Sequence, residues 1–293
     1  MTNTTLTGII VLMLASGAAG CNDSRPPTIP GVPPPSPPAT TPPQPTPPAA
    51  SVSGYVYDSA FRPVGGVKIE AVDGASAGVS TTTNGSGGFA LSGTFDESVT
   101  FRASKDGYIA ATATLKRNMS GGASLSFTLT VVAAPVAIAG DYTVTFVADS
   151  ACAGNLPEGV RERIYPATIS QSTYPGAPPQ TQFNVTLTGA PFLPGHGSFY
   201  LGVAGDYVAI FFGDHGPLVV EQVAPNAYLA LDGWTAVFVE GPAVSTISAP
   251  FEGSFEYCDL KSAMGSRYDC PSAQVISKAR CESKNHRLVL TRR

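Results

Sequence analysis

Three histidines, five cysteines and one Gly-x-Ser-x-Gly are the features of this 293-residue chain that could do chemistry. Gly74-Ala-Ser76-Ala-Gly78 has the spacing of a nucleophile elbow. An elbow needs a strand, a sharp turn and a helix, with a histidine to take the proton. No histidine precedes residue 196, and the motif lies among short strands, so it reads as a loop. His196 in Pro194-Gly-His-Gly197 and His215 in Gly213-Asp-His-Gly216 stand in turn contexts, while His286 is on a third segment. Asp214 beside His215 suits an acid–base or metal role. No His-x-x-Glu with a later His, no phosphate loop and no Asp-rich calcium loop is present. The sequence therefore points to no cofactor, no metal and no catalytic residue. A weak enzyme or hydrolase accessory would need His196, His215 and a carboxylate within about 5 Å of one another.

Cys152, Cys258, Cys270 and Cys281 all fall in the carboxyl-terminal half. Four cysteines in an exported chain imply two disulfides with three possible connectivities. The favoured pairing is Cys152–Cys281, joining the exit of that region's first strand to the entrance of its last. Cys258–Cys270 then closes a local loop. A four-cysteine zinc site is the alternative, disfavoured because no two cysteines stand close together.

These groups need elements to position them, and composition indicates which. Charged residues are 13% of the chain, with 31 Gly and 27 Pro. Many short strands joined by tight turns follow from that balance. A net charge of −4 excludes a general nucleic-acid binder, which needs a basic field. The carboxyl-terminal segment is nevertheless basic, from Arg267 through Lys278, Arg280, Lys284 and Arg287 to Arg292 and Arg293. It is either an anion site or a last strand lying against acidic neighbours.

Gly8 to Ala19 is an apolar run too short to span a bilayer, fitting the core of a signal peptide over residues 1–20. It ends in Ala18-Ala-Gly-Cys21, which resembles the lipobox of bacterial lipoproteins. That resemblance implies a diacylglycerol on the Cys21 thiol and Cys21 as the first mature residue. The n-region lacks Lys or Arg, and Ala18 stands where Leu is usual. Residues 21–50 continue as a proline-rich linker, a polyproline II stalk rising about 3.1 Å per residue.

Residues 51–132 alternate as short strands separated by Gly-rich turns, the pattern of a β-sandwich. Gly54-Tyr-Val-Tyr-Asp58, Pro63-Val-Gly-Gly-Val67-Lys-Ile-Glu, Thr81-Thr-Thr-Asn84-Gly-Ser-Gly-Gly-Phe89-Ala-Leu and Lys105-Asp-Gly-Tyr108 occur there in order. In that order they resemble the carboxypeptidase regulatory-like domain, whose fold is a transthyretin-like β-sandwich. The resemblance implies a non-catalytic module, and its superfamily's kinship with carbohydrate-binding folds raises a glycan as partner.

Residues 139–293 carry nine or ten further strands. Their number suggests an antiparallel barrel-like or sandwich domain, since closure removes exposed edges. The strands expected include Ala227–Leu231, Thr235–Val239 and Ile247–Tyr257, with only Pro271–Ser283 looking helical before a last strand at Arg287–Thr291. Gly140-Asp-Tyr142 and Arg287-Leu-Val-Leu-Thr-Arg292 resemble the two ends of a lipocalin-type barrel, where an aromatic residue on the first strand packs beside an arginine on the last. Tyr142 replaces the family's tryptophan. Such a barrel either holds one small apolar ligand or is filled by side chains. Trp234, the single tryptophan, is either a wall of that cavity or a core residue.

The expectation is an all-β, exported lipoprotein of the bacterial envelope, held to a membrane through Cys21 and without catalysis. Its candidate ligand-binding residues are Trp234, His215 and His196. A glycan, a small apolar ligand or another envelope protein would be the partner. A purely structural envelope protein is the alternative.

Overall fold

The computed structural model describes residues 50–116, 123–173, 180–213, 216, 218–265, 268, 270 and 274–293. Cys21, the leader, the stalk and His215 lie outside the described residues. Among those described there are seventeen strands and two short 3-10 turns, and no α-helix.

Eight strands form the amino-terminal part: β1 (Ala50–Asp58), β2 (Lys68–Ala71), β3 (Ser80–Thr82), β4 (Gly88–Gly93), β5 (Ser98–Ser104), β6 (Tyr108–Ile109), β7 (Ala111–Lys116) and β8 (Ala123–Val131). They make a sandwich of two four-stranded sheets, ordered β4-β1-β8-β6 and β3-β2-β5-β7. Strict alternation along β1 and β5 sends Val52, Val56, Val99 and Phe101 inward, because successive side chains point to opposite faces. Phe89, Leu91, Phe127 and Leu129 complete the first layer, against Ile69, Ala71 and Ala103 of the second. The stretch from Tyr108 to Lys116 is divided between the two sheets. Tyr108 and Ile109 pair with β8, whereas Ala111 to Lys116 pair with β5 in the opposite sheet.

The second part comprises β9 (Gly140–Val147), β10 (Glu162–Gln171), β11 (Gln182–Leu187), β12 (Ser198–Ala204), β13 (Tyr207–Phe212), β14 (Val219–Ala224), β15 (Ala227–Phe238), β16 (Thr246–Leu260) and β17 (Val275–Arg292). β17 pairs with β9, and β13 pairs with the second half of β15. Eight strands therefore close into a barrel, while β14 continues along the first half of β15. Closure leaves the ring without a free edge.

Two expectations are corrected here. The separate strands at Ala227–Leu231 and Thr235–Val239 are one strand, β15, because Gly233 pairs directly with Gly253. A Cβ on Gly253 would lie 1.9 Å from the Asp232 carbonyl oxygen, so β15 and β16 cross at a spacing only glycine permits. The helix expected within Pro271–Ser283 is strand from Val275 onward. That stretch pairs residue by residue with β16, which supplies partners for its backbone groups, and Glu256 lies opposite Arg280.

The barrel interior is filled. The Phe146 ring meets Tyr165, Phe199, Phe212 and Phe251 at centroid distances of 6.2, 6.0, 5.5 and 6.3 Å, mostly edge to face. His286 is fully buried between Phe251 and Phe255, at 5.0 and 4.9 Å. An apolar ligand therefore finds the place a barrel cavity would occupy already taken by aromatic rings. At the seam, the Arg292 guanidinium sits 5.1 Å from the centre of the Tyr142 ring. It donates to the carbonyls of Val244, Ala139 and Ala137 at 2.9, 3.1 and 3.0 Å, joining the first and last strands.

Cys152 is bonded to Cys281 and Cys258 to Cys270, the connectivity favoured from strand order. All four cysteines are thus committed, which removes the zinc alternative. Disulfides persist in oxidising compartments, so the two bonds mark the chain as extracytoplasmic.

Candidate functional site

The outer face of β13 breaks the alternation expected of a solvated strand. Tyr207, Ala209 and Phe211 point outward, yet Ala209 is buried and the other two are half-buried. The cover is the hairpin end of β1. The Asp58 carboxylate, itself buried, accepts from the backbone N–H groups of Ala60 and Arg62 at 2.9 and 3.0 Å. It also accepts from Arg62 Nε at 2.8 Å. These bonds lay Ser59 and Ala60 against Gly202, Ala204 and Ala209 of the barrel. Ser59 Oγ donates to the Val203 carbonyl at 2.7 Å. A Cβ on Gly202 would stand 2.8 Å from Ala60 Cα, so the turn can seat itself only over glycine. Beside it the Arg62 guanidinium lies 4.4 Å over the Tyr207 ring, a cation–π contact between the two domains.

The same turn holds Phe61 at φ +62°, a left-handed conformation costly for a bulky side chain. Backbone strain of this kind costs on the order of 1–3 kcal/mol and clusters at functional sites. Phe61 remains 51% exposed and meets Phe211 edge-on, with ring centroids 5.6 Å apart.

Phe211 belongs to a row that crosses the outside of the barrel. Asn184 stands opposite Tyr200, Tyr200 opposite Phe211, Phe211 opposite Trp234, and Trp234 opposite Glu252. Four interstrand steps of about 4.8 Å make the row roughly 19 Å long. Tyr200 is 47% and Trp234 40% exposed. At one end is a cleft of about 510 Å³ lined by Phe61, Tyr200, Phe183, Leu201, Ser172, Thr173, Gln182 and Asn184. None of these described lining residues is charged. At the other end Glu252 pairs with Lys284 at 3.2 Å.

Of the ligand-binding candidates singled out from sequence, Trp234 and His196 are described, and they stand on different segments. Trp234 is neither a cavity wall inside the barrel nor a core residue: it faces outward, in the row, because its register opposite Phe211 and Glu252 puts it on the outer surface. His196 is a turn residue, its Nδ1 3.0 Å from the Leu218 carbonyl, its N–H on Leu193 and its carbonyl on Val220. His215 lies outside the described residues. No cluster of His, Cys, Asp and Glu suited to a metal occurs among the described residues. Phe61, Tyr200 and Phe211 were not singled out. Only Phe211 carries a signal, the unbroken apolar run Tyr207-Val-Ala-Ile-Phe-Phe212, which a strand with one wet face should not show.

The basic carboxyl-terminal strand lies against acidic neighbours. Glu256 receives Lys278 at 3.1 Å and Arg280 at 2.9 Å, and Arg280 also holds Glu282 at 2.8 Å. Burial alone would raise the Glu256 carboxyl, but hydrogen bonds from Tyr268, Lys278 and Arg280 outweigh it and hold the group below its usual range. Glu221, the other buried acid of the barrel, takes a two-pronged pairing from Arg163 and a 2.7 Å bond from the Tyr165 hydroxyl. Both carboxylates are saturated by their neighbours.

A family model of the carboxypeptidase regulatory-like domain matches residues 51–130. The sandwich is a carboxypeptidase regulatory-like domain. This regulatory-like domain is non-catalytic, and it supplies Phe61 and Arg62 to the junction. No curated protein matches the chain. A crystal structure of a Bacteroides fragilis protein of unknown function is similar over 83% of this chain and 97% of that one, at 12% identity and a TM-score of 0.23. At that TM-score the likeness fixes neither fold nor function.

Proposed function

We propose that this chain is an exported, membrane-tethered binding protein whose ligand lies across the outside of the barrel, at the junction with the regulatory-like domain. One observation carries the reading: an outward row of aromatic side chains that ends in a cleft roofed by a strained phenylalanine from the neighbouring domain. Solvent-facing aromatic side chains grouped in this way are characteristic of recognition surfaces, and clefts at domain junctions are favoured binding places. The role is binding rather than catalysis, since the cleft offers rings, amides and hydroxyls with no nucleophile–base pair among its described residues.

The tether is Cys21, and the proline-rich stalk carries the domains away from the membrane surface. Two acyl chains, at about 0.8 kcal/mol per buried CH₂, hold a protein of this size on a bilayer durably. The two disulfides support the export that lipidation presupposes. Growth with a clickable palmitate analogue tests the tether. Label on the wild-type chain and none on Cys21→Ser is the expected outcome. An unlabelled wild-type chain, or label retained by Cys21→Ser, would refute it.

A further inference from the structure

We infer that the aromatic row and its cleft take a neutral oligosaccharide, an inference that rests on the binding role just proposed. Tyr200 and Trp234 lie two interstrand steps apart with exposed rings, and Phe61 adds a third ring at the edge of the cleft. Beside Phe61 and Tyr200 are the hydroxyls of Thr173 and Tyr200 and the amides of Gln182 and Asn184. The ligand must therefore present apolar faces to the rings and polar edges to the amides and hydroxyls. A wholly apolar ligand would strip water from those polar groups without replacing its hydrogen bonds. An ionic ligand would find no opposite charge among the described lining residues of the cleft.

Two neutral classes remain, sugars and extended peptides. A peptide that binds by strand addition needs an open sheet edge, and the row crosses a closed barrel. A proline-rich peptide offers carbonyl acceptors and almost no donors. Hydroxyl and amide side chains both donate and accept, and so do the hydroxyl groups of a sugar. A pyranose also carries flat C–H faces that lie against rings. A chain of such units matches the rings of Tyr200, Phe211 and Trp234, which span two interstrand steps, or about 10 Å.

The test is isothermal titration of the full chain with neutral oligosaccharides of glucose, xylose, mannose and N-acetylglucosamine. A uronic-acid oligosaccharide and a proline-rich peptide serve as rivals. Tyr200→Ala and Trp234→Ala are compared, with circular dichroism confirming that both variants fold. At least one neutral oligosaccharide is expected to bind, and each substitution should weaken it about tenfold or more, as removal of an aromatic anchor does. If only the acidic sugar or the peptide binds, and Tyr200→Ala weakens that binding, the oligosaccharide assignment is overturned while the binding surface stands. If nothing binds, or binding ignores both substitutions, assignment and surface fall together.

Discussion

His286 lies inside the barrel against the rings of Phe251 and Phe255. It is fully buried, and its Nδ1 accepts from the Asp149 N–H at 3.0 Å, which requires the neutral ring. Nε2 has no hydrogen-bond partner of ordinary geometry, though the carbonyls of Gly253 and Cys281 favour its proton. Burial dominates and pushes the imidazole below its usual value, against the nearby Asp149 carboxylate. The unfolded chain therefore binds a proton before the folded one does. Stability from the neutral ring is complete above about pH 6.5 and is lost as pH falls below it, by up to about 1.4 kcal/mol per pH unit. Urea midpoints measured between pH 7.5 and 5 should fall with pH for the wild type. The His286→Phe profile should be flatter, whatever that variant's absolute stability. Parallel profiles would mean that His286 does not titrate on unfolding.

Among elements, the β16–β17 hairpin and its two disulfides carry the clearest energetic contrast. Cys152–Cys281 spans a sequence separation of 129 and Cys258–Cys270 one of 12. Loop-closure entropy assigns about 5 kcal/mol to the first and about 3 to the second. Replacing Cys152 and Cys281 by alanine should therefore lower the unfolding free energy more than replacing Cys258 and Cys270, as read by chemical denaturation. Equal losses would contradict the entropic account. Both pairings were legible in the sequence, Cys152–Cys281 because the antiparallel pairing of β9 with the end of β17 brings the chain after β9 beside the part of β17 before Arg287, and Cys258–Cys270 because the two are close in sequence. So were the sandwich, through its ordered Gly-rich turns, and the seam residues Tyr142 and Arg292. The outward row was not. Tyr200, Phe211 and Trp234 come from three strands, and only cross-strand register places them side by side. Alternation within one strand cannot supply that register. Trp234 was misplaced for the same reason.

At the scale of the whole molecule, the cleft exists because the Ser59–Arg62 turn of the regulatory-like domain is seated on the barrel. Three small residues, Gly202, Ala204 and Ala209, make room for it. Arg62 on Tyr207, Ser59 on the Val203 carbonyl and Val136 on the Gly205 carbonyl fix its direction. A leucine at Gly202 points outward, so it leaves the barrel core intact while filling the space of the Ala60 backbone. Small-angle X-ray scattering of the full chain and of Gly202→Leu is the most direct measurement of this docking. A larger radius of gyration for the leucine variant, with an unchanged circular dichroism spectrum, is the result expected of two domains prised apart. The same radius for both proteins would mean that the turn is not seated there, and the shared cleft would go with it.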